Sequence, residues 1–105
     1  MNREDRIARN EVLFREVNER VREVAAEGGE LTGFLCECGR EECTETVPLS
    51  IAEYERVRSD PKYFFVTPGH EMPDVETSVA RTDRFVVVEK HPREAATAME
   101  SDPRR

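Results

Sequence analysis

From residue 2 to about residue 26 the chain has no proline or glycine, and its apolar positions fall at Ile7, Phe14, Val17, Val21 and Val24, with Asn10 standing in the gap of the 3-4 spacing. That period predicts a long amphipathic helix. Its other face carries Glu16 with Arg20 and Glu19 with Arg22, spaced for contact along a helix and expected to be solvated. Val12 and Leu13 widen the apolar stripe, so the helix could pack on its own sheet or pair with its counterpart in a homodimer. Gly28-Gly29 is suited to a left-handed C-cap.

Beyond the glycines the apolar period shortens. Residues 31–37 read as a strand, residues 44–49 as a short extended piece in which Pro48 favours an edge or strand end, and residues 34–38 can pair with 44–47 as a hairpin. Ser50-Ile51-Ala52-Glu53 matches a capping box and starts a second helix with Ile51, Tyr54 and Val57 on one side, stopped by Ser59-Asp60-Pro61. Tyr63-Phe64-Phe65-Val66 is a compact strand closed by the turn Thr67-Pro68-Gly69-His70. Residues 75–80 are ambiguous between helix and strand. A strand is favoured, because alternation puts Val75, Thr77 and Val79 on one face and makes a hairpin with residues 85–90, across a turn at 81–84. From Pro92 onward the chain is polar and alanine-rich, and a frayed tail is expected.

The expected fold class is therefore α+β: a long N-terminal helix plus a short helix packed on a small, mainly antiparallel sheet. Residues 1–92 form one domain and residues 93–105 a flexible tail. At 105 residues, 37% hydrophobic and 37% charged, such a domain buries a modest core and would gain from an extra constraint.

The cysteines supply a candidate for that constraint. All three lie in Cys36-Glu37-Cys38-Gly39-Arg40-Glu41-Glu42-Cys43, an odd number in one loop, which is a poor disulfide framework and a good set of metal ligands. On an extended segment Cys36 and Cys38 point to the same side, and Gly39 lets the chain turn so that Cys43 can approach them. Zinc needs a fourth donor, for which His70 on its tight turn is preferred over His91. The expected site is Cys36, Cys38, Cys43 and His70 around one structural Zn2+ per chain. The alternatives are three reduced thiols, or iron-sulfur or redox chemistry. Glu37, Glu41, Glu42 and Glu45 lack the spacing of a calcium loop and are expected to be solvated.

Charge narrows the partners. The net charge is -7, and residues 31–60 hold three basic and seven acidic side chains, which disfavours nucleic acid and anionic membranes and suits a protein partner with a basic or neutral surface. No stretch approaches the roughly 18 apolar residues of a membrane span. The start, Met-Asn-Arg-Glu-Asp-Arg, lacks the apolar core of a signal peptide, so a cytoplasmic protein is expected. Only Lys62 and Lys90 among the 16 basic residues are lysine, a bias in keeping with GC-rich bacterial coding.

The segments Phe34-Leu35-Cys36-Glu37-Cys38, Cys43-Thr44-Glu45, Leu49-Ser50-Ile51-Ala52-Glu53-Tyr54-Glu55, Val57-Arg58, Phe65-Val66, Pro68-Gly69-His70-Glu71 and Val87-Val88-Glu89-Lys90 together resemble a set of short, uncharacterised bacterial proteins. In those an Asn-Glu-x-x-Phe-Arg-x-x-Asn-Glu helix, here residues 10–19, precedes a C-E-C loop. The resemblance covers roughly residues 7–90 and implies no activity.

A closed four-ligand shell leaves zinc no open position for chemistry. The chain also has no helical H-E-x-x-H, glycine-rich phosphate loop or nucleophile motif. The expected function is a non-enzymatic zinc-binding module mediating protein-protein interaction, with a regulatory role compatible with it. The alternative is a thiol or zinc redox sensor. Third is a small metal-dependent hydrolase in which Glu71 serves as base to a zinc-bound water.

Overall fold

The computed structural model describes residues 2–25 and 30–104. Its elements are α1 (Arg3–Val24), β1 (Thr32–Leu35), β2 (Thr46–Leu49), α2 (Ile51–Arg58), β3 (Tyr63–Val66), β4 (Glu76–Arg81), β5 (Val86–Lys90) and α3 (Pro92–Glu100). The protein is α+β, with two small antiparallel sheets: the hairpin β1-β2, and a three-stranded sheet in the order β3-β5-β4. The Gly28-Gly29 cap falls outside the described residues.

Local chemistry accounts for most of these elements. Asn2 caps α1 by accepting from the Asp5 N–H, and Ser50 with Glu53 forms the full capping box of α2. Ile51, Tyr54 and Val57 all turn inward, as their spacing requires. The core joins this face to the hairpin and to β3 and β5. Phe34 stacks on Tyr54 with ring centroids 4.4 Å apart, and Phe65 meets both edge-on at 6.1 and 6.0 Å. Pro48 sits opposite Gly33 in a two-stranded sheet whose strands are both edges, where a missing N–H is tolerated.

Three expectations fail. The first concerns the inward face of α1, whose buried residues are Ile7, Ala8, Glu11, Arg15 and Asn18. Leu13 is 53% and Val17 40% exposed, and Val24 is more open still. The helical period survives, but it is rotated onto polar side chains because the surface under α1 presents charge and backbone carbonyls. Arg15 Nη2 donates to Pro61 O at 2.9 Å and to Tyr63 O at 2.8 Å, its guanidinium lies 3.7 Å above the Phe64 ring, and Lys90 is ion-paired with Glu11 and Glu76.

The second concerns β4. Its pairing with β5 matches the expected hairpin, but the register shifts between Ser78 and Ala80. The alternation of Val75, Thr77 and Val79 fails ahead of this bulge, since Val75 precedes β4 and Thr77 is already exposed. Val75 is buried and Val79 is exposed, while Glu76 turns inward to Lys90.

The third concerns the segment expected to be a frayed tail. It contains α3, with Pro92 in its first turn and Ala95 and Ala98 buried. Alanine bulk is what allows this helix to lie close on its neighbours. Among the described residues no helix is long and apolar enough to cross a membrane.

Candidate metal centre

The β1-β2 ladder runs one step past its strands, with Cys36 N–H bonded to Glu45 O at 3.0 Å. The next residue changes partner: Glu37 N–H donates to Phe65 O at 3.0 Å, tying the loop to β3. Gly39 then takes a φ of +79°, and Cys43 N–H closes a turn onto Arg40 O. On the far side of β3, His70 N–H closes the Thr67-Pro68-Gly69-His70 turn onto Thr67 O at 2.9 Å, with Gly69 at φ +96°. Glu71 braces that turn: its carboxylate accepts from Gly69 N–H and, at 2.7 Å, from Arg81.

These two loops bring together Cys36, Cys38, Cys43 and His70, whose donor atoms all lie within 4.8 Å of one another. His70 Nδ1 is 3.6 Å from both Cys36 Sγ and Cys43 Sγ. Zinc bonds of about 2.3 Å to sulfur and about 2.0 Å to nitrogen give a tetrahedron with S···N edges of about 3.5 Å, so the spacing fits the group. Cys36 and Cys38 are buried, and all three cysteines are free. The four residues could hold a metal ion. His91 is elsewhere: its Nε2 lies 3.1 Å from Thr77 Oγ1, at the N-terminus of α3.

The two buried sulfurs interact strongly. A hydrogen bond from Cys38 brings the Cys36 thiol down to about 5, against burial and with help from Thr67, whose N–H lies 3.2 Å from Cys36 Sγ, and from His70. The same shared hydrogen pushes Cys38 up. The shared hydrogen thus favours the thiolate at Cys36 over Cys38, and thiolates are the form that binds metal.

Expected in solvent, Glu37 is instead wholly buried. Asn18 Nδ2 donates to its Oε2 at 2.9 Å, and Phe65 N–H lies 3.4 Å from its Oε1. Burial pushes the Glu37 carboxyl up to about 7, against Arg15 and Asn18. Asn18 also exchanges a pair of hydrogen bonds with the Leu35 backbone, at 2.8 and 3.0 Å, and Asn10 Nδ2 reaches Gly39 O at 2.9 Å. Neither asparagine is a site residue by type, and both hold the loop that carries the cysteines. A sequence signal existed for Glu37: if Cys36 and Cys38 face the metal, the residue between them faces the other way, toward the core. Glu41, Glu42 and Glu45 are exposed, as expected.

No protein-family model, no curated protein and no solved structure matches the chain.

Proposed function

We propose that the chain is a zinc-stapled module that binds another protein and has no reaction of its own, with the cytoplasm as its compartment. The observation that carries this reading is the set of four donor atoms within 4.8 Å of one another, contributed by the loop between β1 and β2 and the turn after β3. Zinc there would cross-link the cysteine loop to the Pro-Gly-His turn and leave no coordination position for substrate. Glu71, the one candidate base beside the site, has its carboxylate engaged by Gly69 and Arg81, which argues against the hydrolase.

The acidic surface suits a partner of basic or neutral character. Leu13 and Val17 give α1 an outward apolar spot, flanked by Glu16 and Arg20, on which a second copy could seat. Sedimentation velocity of wild type and Leu13→Glu tests that surface: a dimer lost in the variant supports homodimerisation, and a monomer at all concentrations removes it.

Metal analysis tests the staple. About one zinc per chain is expected, with a cobalt-substituted form showing tetrahedral thiolate absorption that His70→Ala alters and His91→Ala leaves intact. A folded chain that takes up no metal overturns the reading.

A redox sensor is the second reading, supported by three free cysteines whose sulfurs lie within 4.8 Å of one another. Peroxide would oxidise the Cys36 thiolate to a sulfenic acid with release of hydroxide, and a second thiol would condense with it to a disulfide, releasing water and the metal. Zinc release at micromolar peroxide favours this reading, and retention removes it.

A further inference from the structure

Arg15 of α1 and Arg58 at the end of α2 have wholly buried side chains and face the same carboxylate, that of Asp102. Arg58 grips it through both terminal nitrogens, with Nη2 on Oδ1 and Nη1 3.5 Å from Oδ2, while Arg15 Nη1 stands 3.8 Å from Oδ2. Glu19 adds a weaker contact, its Oε1 3.6 Å from Arg58 Nη2. The carboxylate leaves this pair under-supplied. Arg15 Nε, Arg15 Nη1 and Arg58 Nε are buried with no hydrogen-bond partner. Arg15 is anchored through Nη2 on Pro61 O and Tyr63 O, so Nε and Nη1, which make no hydrogen bond, are not needed to hold it in place.

Two buried guanidiniums from different elements, converging on one anion with donors to spare, match a tetrahedral oxyanion better than a carboxylate. A phosphate monoester carries three terminal oxygens and up to two charges, against two oxygens and one. The group that fills the position belongs to a short strap after α3 with a second hold outside it. Arg104 is clamped by Glu19 and Glu55, with contacts of 3.0 and 2.6 Å, and lies 5.8 Å from the Tyr54 ring centre. That second hold is on the surface, where ion pairs are weak and screened.

We propose that Arg15 and Arg58 form a receptor for a phosphate monoester, and that Asp102 occupies it as a built-in substitute which the ligand displaces. Ligand binding and release of residues 101–104 are then one event. The receptor shares no residue with the four metal donors.

Phosphate titration of the metal-loaded full chain, followed through arginine Nε–H and backbone amide resonances, tests this. Asp102→Asn weakens the substitute, so the variant should bind inorganic phosphate at least about tenfold more tightly than wild type. The Arg15 and Arg58 Nε–H signals should shift, and in wild type the Arg104 amide should move toward its unfolded position as phosphate saturates. Equal affinities, or shifts confined to the surface arginines Arg3, Arg6 and Arg40, overturn the proposal. Should Asp102→Asn fail to fold, Arg104→Gln loosens the strap without changing Arg15, Arg58 or Asp102. It too must tighten phosphate binding, and an unchanged affinity overturns the proposal. A parallel titration with a phosphoserine peptide separates a free anion from a modified side chain. Tighter peptide binding identifies the latter, equal binding the former, and binding of neither overturns the receptor.

Discussion

Asn18 and Glu37 join the long helix to the residue between two of the candidate metal ligands, through a buried bond of 2.9 Å. The same amide satisfies both backbone groups of Leu35. Removing it in Asn18→Ala strands three buried partners, each costing on the order of 1 kcal/mol or more. The expected result is a loss of about 3 kcal/mol in urea denaturation of the metal-loaded protein, with metal affinity weakened about tenfold or more in chelator competition. A variant that kept both values would show that the metal holds the loop without help from α1.

Lys90 serves two buried carboxyl groups, Glu11 and Glu76, and its single charge can balance only one of them when ionised. Burial pushes the Glu11 carboxyl up to about 8, against the pull of Lys90 and with Glu76 and Glu37 adding to the rise. Burial works against the Lys90 ammonium too, but Glu11 and Glu76 outweigh it and hold its pKa above the usual value. The folded form therefore keeps a proton on Glu11 that the unfolded chain has already lost above its ordinary 4.5. Stability must fall as pH rises through the window from 4.5 to about 8. Between pH 6 and pH 8 wild type should lose at least about 1 kcal/mol more than Glu11→Gln. Urea denaturation at the two pH values measures this, and parallel curves would refute it.

Gly39 and Gly69 both have positive φ, but only Gly39 is crowded. A methyl group there would lie 2.7 Å from Ile7 O, whereas nothing lies within 4 Å of one at Gly69. Gly69→Ala should cost about 1 kcal/mol of backbone strain, and Gly39→Ala at least about twice that, because α1 must also retreat. Thermal denaturation of the zinc-loaded variants compares them. Equal costs would mean that the helix yields freely.

In α2, Ser50 Oγ accepts from Glu53 N–H at 3.1 Å, and Glu53 returns a bond to Ser50 N–H at 2.9 Å while pairing with Arg84 at 2.7 Å. Ser50→Ala should cost about 1 kcal/mol. Glu53→Ala should cost more, since it removes both the return bond and the Arg84 contact. Denaturant midpoints in low and high salt separate the two, because only the Glu53 loss should shrink with salt.

Elements governed by neighbours in sequence were legible. The capping box placed α2, the apolar run placed β3, and Gly69 allowed the turn that presents His70. The cysteine spacing and that turn pointed to four residues that the fold does bring together. What could not be read was the burial of Glu11, Arg15, Asn18 and Glu37. Each is polar by type, and each is made tolerable inside by a partner from another part of the chain: Lys90, the carbonyls of Pro61 and Tyr63, the Leu35 backbone, and Asn18 itself. A periodicity argument assigns the core to apolar positions, so it placed Ile7 and Val21 correctly but set Val17 and Val24 inward in place of Glu11, Arg15 and Asn18. The helix in residues 92–100 was missed for a related reason: its buried side chains are alanines in a run that reads as low in driving force.

The polar inward face of α1 also bears on the order of events as the chain folds. Glu11 pairs with a residue 79 positions away, and Glu19 with one 85 positions away. Such partners exist only once β5 and the segment after α3 are in place, and ion pairs and carbonyl contacts exert little pull on a half-built sheet in water. The contacts of Glu11 and Glu19 with those later segments are then among the last to form. Substitutions on the buried face of α1 should speed unfolding and leave the refolding rate close to that of wild type.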